Sequence, residues 1–409
     1  MNLWTTLPIV ALTYIGIALG GWPRLRVNRT TLTLVGVGLL LLTEQINFNQ
    51  IKNFLDIDTL VLLFSMMVIN ACLELAGFFR LAAGGLMKLT HSPRTLLAVE
   101  IVVVGLLSAL FLNDTICLML TPLILDLALA LRRNPIPYLI ALAAAANIGS
   151  VATLTGNPQN MIIGIASHIS YLDFARSLIL PALLALGTIW LVIVWIYPQE
   201  FRREHFETPA LHEPRLFRPL LIKSLIVTGG LLIAFMAGVP VALAAFIAAC
   251  IMLLTRRVKP ERITSAIDWN LLVFFAALFI ISGAMEESRI TQSLMNGIGY
   301  RLLESNAAIL SAITVVLSNL VSNVPAVLLL KPVVTALPDP RAGWLTLAAA
   351  STLAGNLTLL GSVANLIVAE IASRRRVKLE FWEYTKAGFI ITVLSLVIGI
   401  GWIELFIWK

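Results

Sequence analysis

Apolar runs of about 17 to 25 residues recur along the chain, separated by short polar clusters, and their placement sets the expected fold. Spans are predicted near residues 3–21, 30–46, 57–79, 138–169 and 177–197, and again near 220–238, 240–255, 267–286, 343–372 and 386–408. Two segments break this rhythm. Leu96–Leu112 and Ile116–Leu131 each hold about 17 residues, roughly 25 Å of helix, with only Asn113, Asp114 and Thr115 between them. The pair predicts a re-entrant hairpin over 95–131. Its flanking basic residues, Lys88 and Arg94 before and Arg132 and Arg133 after, then share one side. A second hairpin is predicted near 305–337. Two of the spans are also interrupted. Asn147–Asn160 and Gly355–Asn365 carry glycine, hydroxyl and amide residues in an apolar setting, so 138–169 and 343–372 are expected to be broken helices.

Composition and charge turn this pattern into a topology. Of 409 residues, 59% are hydrophobic and 12% charged, which excludes a soluble globular domain and predicts an all-α polytopic membrane protein. Leu3–Leu19 has no basic residue before it and no clean cleavage signal, so it is expected to be a retained span. With the N-terminus outside, 22 of the 29 Lys and Arg fall in inner segments at 24–29, 80–94, 132–133, 202–223, 256–262 and 374–386. The polar stretch 199–219, with four Glu, four Arg and three Pro, is then a cytoplasmic linker between repeats 1–198 and 220–409. Five crossings per repeat is an odd number, so the repeats are expected to be inverted. Internal similarity agrees: Asp58–Phe64 resembles Asp268–Phe274, Asn113 with Pro122 resembles Asn323 with Pro332, and Thr153–Asn160 resembles Thr358–Asn365. Inverted repeats with broken helices are typical of secondary transporters, whose site lies near the midplane.

The net charge of +7 is spread between apolar spans, so no nucleic-acid partner is expected. Cys72, Cys117 and Cys250 have no paired spacing, and His91, His168, His205 and His212 form no set, so neither a metal nor another cofactor is implied. No nucleotide-binding or hydrolase motif occurs, and an enzyme is not expected. The candidate chemistry lies instead at the tips and breaks. Asn113, Thr115, Thr155, Asn157 and Asn160 from the first repeat, and Ser322, Asn323, Thr358, Ser362 and Asn365 from the second, are expected to surround a solute. Helix N-termini there would favour an anion or an oxygen-rich solute. Asp114 has no counterpart in the second repeat, where Val324 stands at the matching place. An ionisable group in the membrane is by default functional, and Asp114 is expected to carry a proton. Lys331, replacing Thr121, reads either as a snorkelling lysine or as a fixed charge in place of a coupling cation.

The motifs Leu112–Thr115 with Leu120–Pro122, Asn147–Ser150 with Thr155–Asn160, and Leu317–Asn319 with Ser322–Ala326 resemble the ion transporter superfamily, above all its arsenite permease and plant silicic-acid efflux branch. The resemblance implies an inverted-repeat fold with two re-entrant hairpins. Divalent-anion/sodium symporters of the superfamily carry Ser-Asn-Thr at both tips, where this chain has Asn113-Asp-Thr115 and Ser322-Asn-Val324. Aspartate at the first tip looks more like the branch in which proton antiport drives efflux of a small neutral oxyacid. The resemblance thus implies a secondary active transporter of an oxyacid or anion in the cell (inner) membrane. Proton or sodium is the coupling ion, and a homodimer is the assembly left open. The alternatives are sodium-coupled symport of a dicarboxylate or sulfate, sodium/proton antiport, and a channel.

Overall fold

The computed structural model describes residues 3–19, 27–88, 92–202, 216–255, 258–288, 290 and 306–408. Among them the secondary structure is helical throughout. The first half contains α1 (Leu3–Leu19), α2 (Arg29–Leu42), α3 (Phe48–Phe54), α4 (Ile57–Ala76), α5 (Phe78–Lys88), α6 (Pro93–Leu110), α7 (Asn113–Ala130), α8 (Pro135–Ser150), α9 (Pro158–Ser167) and α10 (Tyr171–Ile196). The second contains α11 (Arg218–Met236), α12 (Val241–Leu253), α13 (Pro260–Thr264), α14 (Trp269–Glu287), α15 (Ala307–Val321), α16 (Asn323–Thr335), α17 (Pro340–Ala354), α18 (Val363–Arg374) and α19 (Phe381–Phe406). Among the described residues, seven helices are long and apolar enough to cross a membrane, and two of those seven, α6 and α7, are the legs of the first hairpin.

Several expected boundaries move. The span near 57–79 stops at Ala76 because Gly77 takes a left-handed φ of 85° and caps α4, after which α5 begins. The span near 30–46 ends at Leu42, and that near 240–255 at Leu253, so both are short. Most of the linker 199–219 lies outside the described residues, as does residue 305 at the start of the second hairpin. The register proposed between Asp58 and Asp268 is off by two. Asp56 and Asp268 are the equivalent residues, since each caps its helix by accepting the N–H three positions on, from Thr59 and Leu271.

Alanine-rich α8 and α17 form the centre: Ile136–Ser150 and Ala342–Ala354 are buried without interruption. Small side chains allow close approach, closest where Gly149 of α8 meets Gly105 of α6. A Cβ on Gly149 would lie 2.2 Å from the Gly105 carbonyl oxygen. Each hairpin packs on the first part of its own half's broken helix, α6–α7 on α8 and α15–α16 on α17. Each returning leg crosses to the other half, α7 to α18 and α16 to α9. The two halves are therefore interlocked around their breaks.

Polar contacts fix the directions. Trp190 Nε1 donates to the Arg94 carbonyl (3.2 Å) at the start of α6, and Arg133, just past α7, lies 3.9 Å from Glu200. Trp190 and Glu200 flank the C-terminal end of α10, so α6 enters and α7 leaves at one end of that helix. In the second half, Ala308 N–H donates to Glu404 Oε1 (3.3 Å), placing the start of α15 at the C-terminal end of α19. The long helices α10 and α19 run antiparallel, because the Tyr197 hydroxyl donates to Glu383 Oε1 (3.4 Å) while Trp402 Nε1 donates to the Ser177 carbonyl (2.9 Å). The two hairpins thus enter from opposite ends.

Candidate functional site

Both broken helices are held open by the same device. In the first, Asn160 Nδ2 donates to the carbonyls of Ser150 (3.0 Å) and Thr153 (2.9 Å); in the second, Asn365 Nδ2 donates to Gly355 (2.7 Å) and Thr358 (3.1 Å). Spacings of ten and seven residues recur in each. Helices end at Ser150 and Ala354 and resume at Pro158 and Val363, and a lone break in a buried helix would strand those carbonyls. Asn157 and Ser362 cap the resumed helices, Asn157 accepting from Asn160 N–H (2.8 Å) and Ser362 from Ala364 N–H (3.2 Å).

The hairpin tips rest on these breaks. Asn113 N–H donates to the Gly156 carbonyl (3.0 Å), its Nδ2 donates to Asn147 Oδ1 (3.1 Å), and Asn319 Nδ2 donates to the Ala354 carbonyl (3.1 Å). Phe111 packs edge-on against Phe78 and Phe79 and fixes the first tip to the start of α5. Asn147 joins the halves, donating to Asn356 Oδ1 (2.8 Å) and Asn365 Oδ1 (3.0 Å). At the second tip Ser322 has φ 80° and ψ 159°, a region that a side chain rarely enters and that costs about 1–3 kcal/mol.

In front of this network lies a cavity of about 190 Å³. Six helix N-termini line it: Arg29 and Thr30 of α2, Asn113 and Asp114 of α7, Pro158 and Gln159 of α9, Asp268 and Asn270 at α14, Ser322 and Asn323 at α16, and Ser362 and Val363 at α18. A neighbouring cavity of about 150 Å³ shares Asp114, Pro158, Asp268, Leu271 and Val363, and adds Asn70, Glu74 and Thr115. Asn70 Nδ2 donates to the Thr115 hydroxyl (3.4 Å). Four of the six N-termini are those expected from the tips and breaks. Their unpaired N–H groups and partial positive charge make the region receptive to oxygen.

Of the expected residues, Asn113, Asp114, Thr115, Ser322, Asn323 and Ser362 line one or both cavities. Asn157, Asn160 and Asn365 sit behind, spent on capping and on the break carbonyls, and Thr155 and Thr358 belong to the breaks themselves. Lys331 lines neither cavity; it lies eight residues along α16 from Asn323, about 12 Å. Arg29 and Asp268 were missed. Each reads in the sequence as an ordinary helix-end charge, and only Asp268's place in a repeated cap offered a signal.

Among the described residues, buried Asn113 Oδ1, Asn323 Oδ1 and Asn70 Oδ1 have no hydrogen-bond partner, and Asp114 makes neither a hydrogen bond nor an ion pair. The unsatisfied atoms of these side chains are acceptors, complementary to hydroxyl or other donor groups.

Comparison with known proteins adds identity to this geometry. A family described as CitMHS, citrate transporter, matches residues 14–354. The chain is 33% identical to the silicon efflux transporter LSI3 of Oryza sativa subsp. japonica, over 92% of this chain and 93% of that one. It is 24% identical to the putative transporter arsB of Dictyostelium discoideum, over 92% and 87%. Among solved structures, the YdaH transporter of Alcanivorax borkumensis has the same fold, with a TM-score of 0.60 at 17% identity over 99% of this chain and 97% of that one. The chain is a multi-pass membrane transporter and belongs to the CitMHS citrate transporter family.

Proposed function

We propose that the protein is a secondary active transporter of the cell membrane that exports a small uncharged oxyacid, of the silicic or arsenous acid kind, in exchange for protons. The observation that carries this is the acceptor-rich lining of the cavities: Asn113, Asn323 and Asn70, each with a buried Oδ1 that has no partner among the described residues, beside the Asp114 and Asp268 carboxylates. A polyhydroxy acid donates to these and accepts from the helix N-termini, whereas an anion brings acceptors alone. A cavity of about 190 Å³ lies below the roughly 300 Å³ at which pockets for drug-sized ligands begin, and suits a handful of heavy atoms. The relative named for silicon efflux supports the same solute class.

Alternating access follows from the architecture. The antiparallel halves read as inverted repeats, with the solute between the tips and breaks of both. In the topology with the N-terminus outside, Arg29, Glu74 and Asp268 all stand at inner helix ends, so the cavities they line open to the cytoplasm. Asp114, half-buried at the first tip, is the proton carrier.

Sodium-coupled symport of a carboxylate is the second reading, favoured by the family's description and by Arg29 in the cavity. Two carboxylates beside a single guanidinium weigh against a polyanion. Transport into proteoliposomes separates the readings. Accumulation of silicic or arsenous acid driven by an imposed proton gradient without sodium is expected, and sodium-dependent uptake of citrate would replace it.

A further inference from the structure

The caps of α4 and α14 are built alike and finished differently. Asp56 uses both oxygens, Oδ1 accepting from Thr59 N–H (3.0 Å) and Oδ2 from the Thr59 hydroxyl (2.8 Å). Asp268 Oδ1 accepts from Leu271 N–H (3.0 Å), but leucine has no hydroxyl, and Oδ2 has no hydrogen-bond partner among the described residues. This half-used carboxylate lines the same two cavities as Asp114. Asp268 is exposed and Asp114 half-buried, so the pair runs from the mouth inward.

Resting on the proton-exchange reading above, we propose that Asp268 is the second carboxylate of the coupling site, the port through which the proton passes between water at the cavity mouth and Asp114. The step is a proton transfer alone: Asp114 gives up its proton, Asp268 Oδ2 takes it and then releases it to bulk water, and no other bond changes. Asn113 lines one of these cavities and Asn70 the other, and each carries a buried Oδ1 with no hydrogen-bond partner among the described residues, so the surroundings of the pair are short of donors. Arg29 faces the pair from α2, Glu74 from α4, and Cys117 lies one turn along α7 from Asp114. The linings contributed by α9, α16 and α18 contain no titratable side chain. Both carboxylates line the same two cavities, so a charge on one acts on the other.

Asp268→Asn keeps a good helix cap and removes the charge. In proteoliposomes, silicic acid accumulation driven by a proton gradient is expected to fall at least fivefold in Asp268→Asn and Asp268→Ser, to recover in part in Asp268→Glu, and to stay at the wild-type level in Asp56→Asn. A second measurement is independent of the solute. In infrared pH titration of the purified protein, the carboxylic-acid band that vanishes in Asp114→Asn is expected to shift its midpoint toward acid by about one pH unit in Asp268→Asn. An unmoved midpoint, or no band assignable to Asp114, overturns the paired site. Wild-type accumulation in Asp268→Asn does the same. Failure of the wild-type protein to couple silicic acid to protons, with the midpoint still shifted, would overturn the transport reading while leaving the pair intact.

Discussion

Asn157 and Ser362 stand at equivalent places in the two breaks, and each donates into the opposite half: Asn157 Nδ2 to Thr352 Oγ1 (3.2 Å), Ser362 Oγ to Asn147 Oδ1 (3.1 Å). The acceptors are also equivalent, since Asn147 and Thr352 each lie ten residues before the cap of their own half. The helix caps nearest the cavity are thus tied across the two halves, and the breaks form one rigid polar unit against which the hairpin tips rest. Asymmetry enters at the tips, with Asp114 on one and Val324 on the other, and at the caps of α4 and α14.

Asn160 and Asn365 are clamps in this structure, not cavity linings. Replacing either with alanine leaves two buried carbonyls short of a donor, at a cost of about 1–3 kcal/mol each. Asn160→Ala and Asn365→Ala are therefore expected to lower the thermal midpoint of the detergent-purified protein and to impair transport together. Asn113→Ala should impair transport with a smaller loss of stability. Equal midpoints for all three would remove the clamp.

Ser322 predicts effects of opposite sign. Glycine at this position relieves a backbone strain of about 1–3 kcal/mol, offset by roughly 0.5–1 kcal/mol of chain entropy. Ser322→Gly is expected to raise the thermal midpoint while slowing transport, because a hydroxyl lining the cavity is lost. A lower midpoint would show that the strain is not relieved.

The hairpin makes a topological prediction. Cysteines at Ser92→Cys and Asn134→Cys, on either side of α6 and α7, should be labelled by an impermeant reagent from the same, cytoplasmic side. Labelling from opposite faces would make the two legs full crossings.

Much of this was legible because polar residues are conspicuous in an apolar sequence. Asn113-Asp-Thr115 between two legs too closely joined for separate crossings gave the first hairpin, and Asn147–Asn160 gave the break. Register within apolar helices was not legible: Asp58 was matched to Asp268 because neighbouring leucines look alike, and only the cap hydrogen bonds identify Asp56. Helices Phe48–Phe54 and Phe78–Lys88 were missed for being too short or too mixed to read as spans. Arg29 and Asp268 reach the cavity through tertiary packing of α2 against α14, which no local pattern reports. The expectation that Asn157, Asn160 and Asn365 touch the solute overlooked the carbonyls and free N–H groups that a broken helix must satisfy first.

In the proposed cycle a proton on Asp114 drives transport, and uphill uptake by Asp114→Asn in proteoliposomes under an imposed proton gradient tests this. Asparagine keeps the shape and much of the hydrogen bonding but cannot change charge. The expected result is a folded protein that still exchanges solute down its gradient and has lost proton-driven accumulation; accumulation at the wild-type level would contradict the claim.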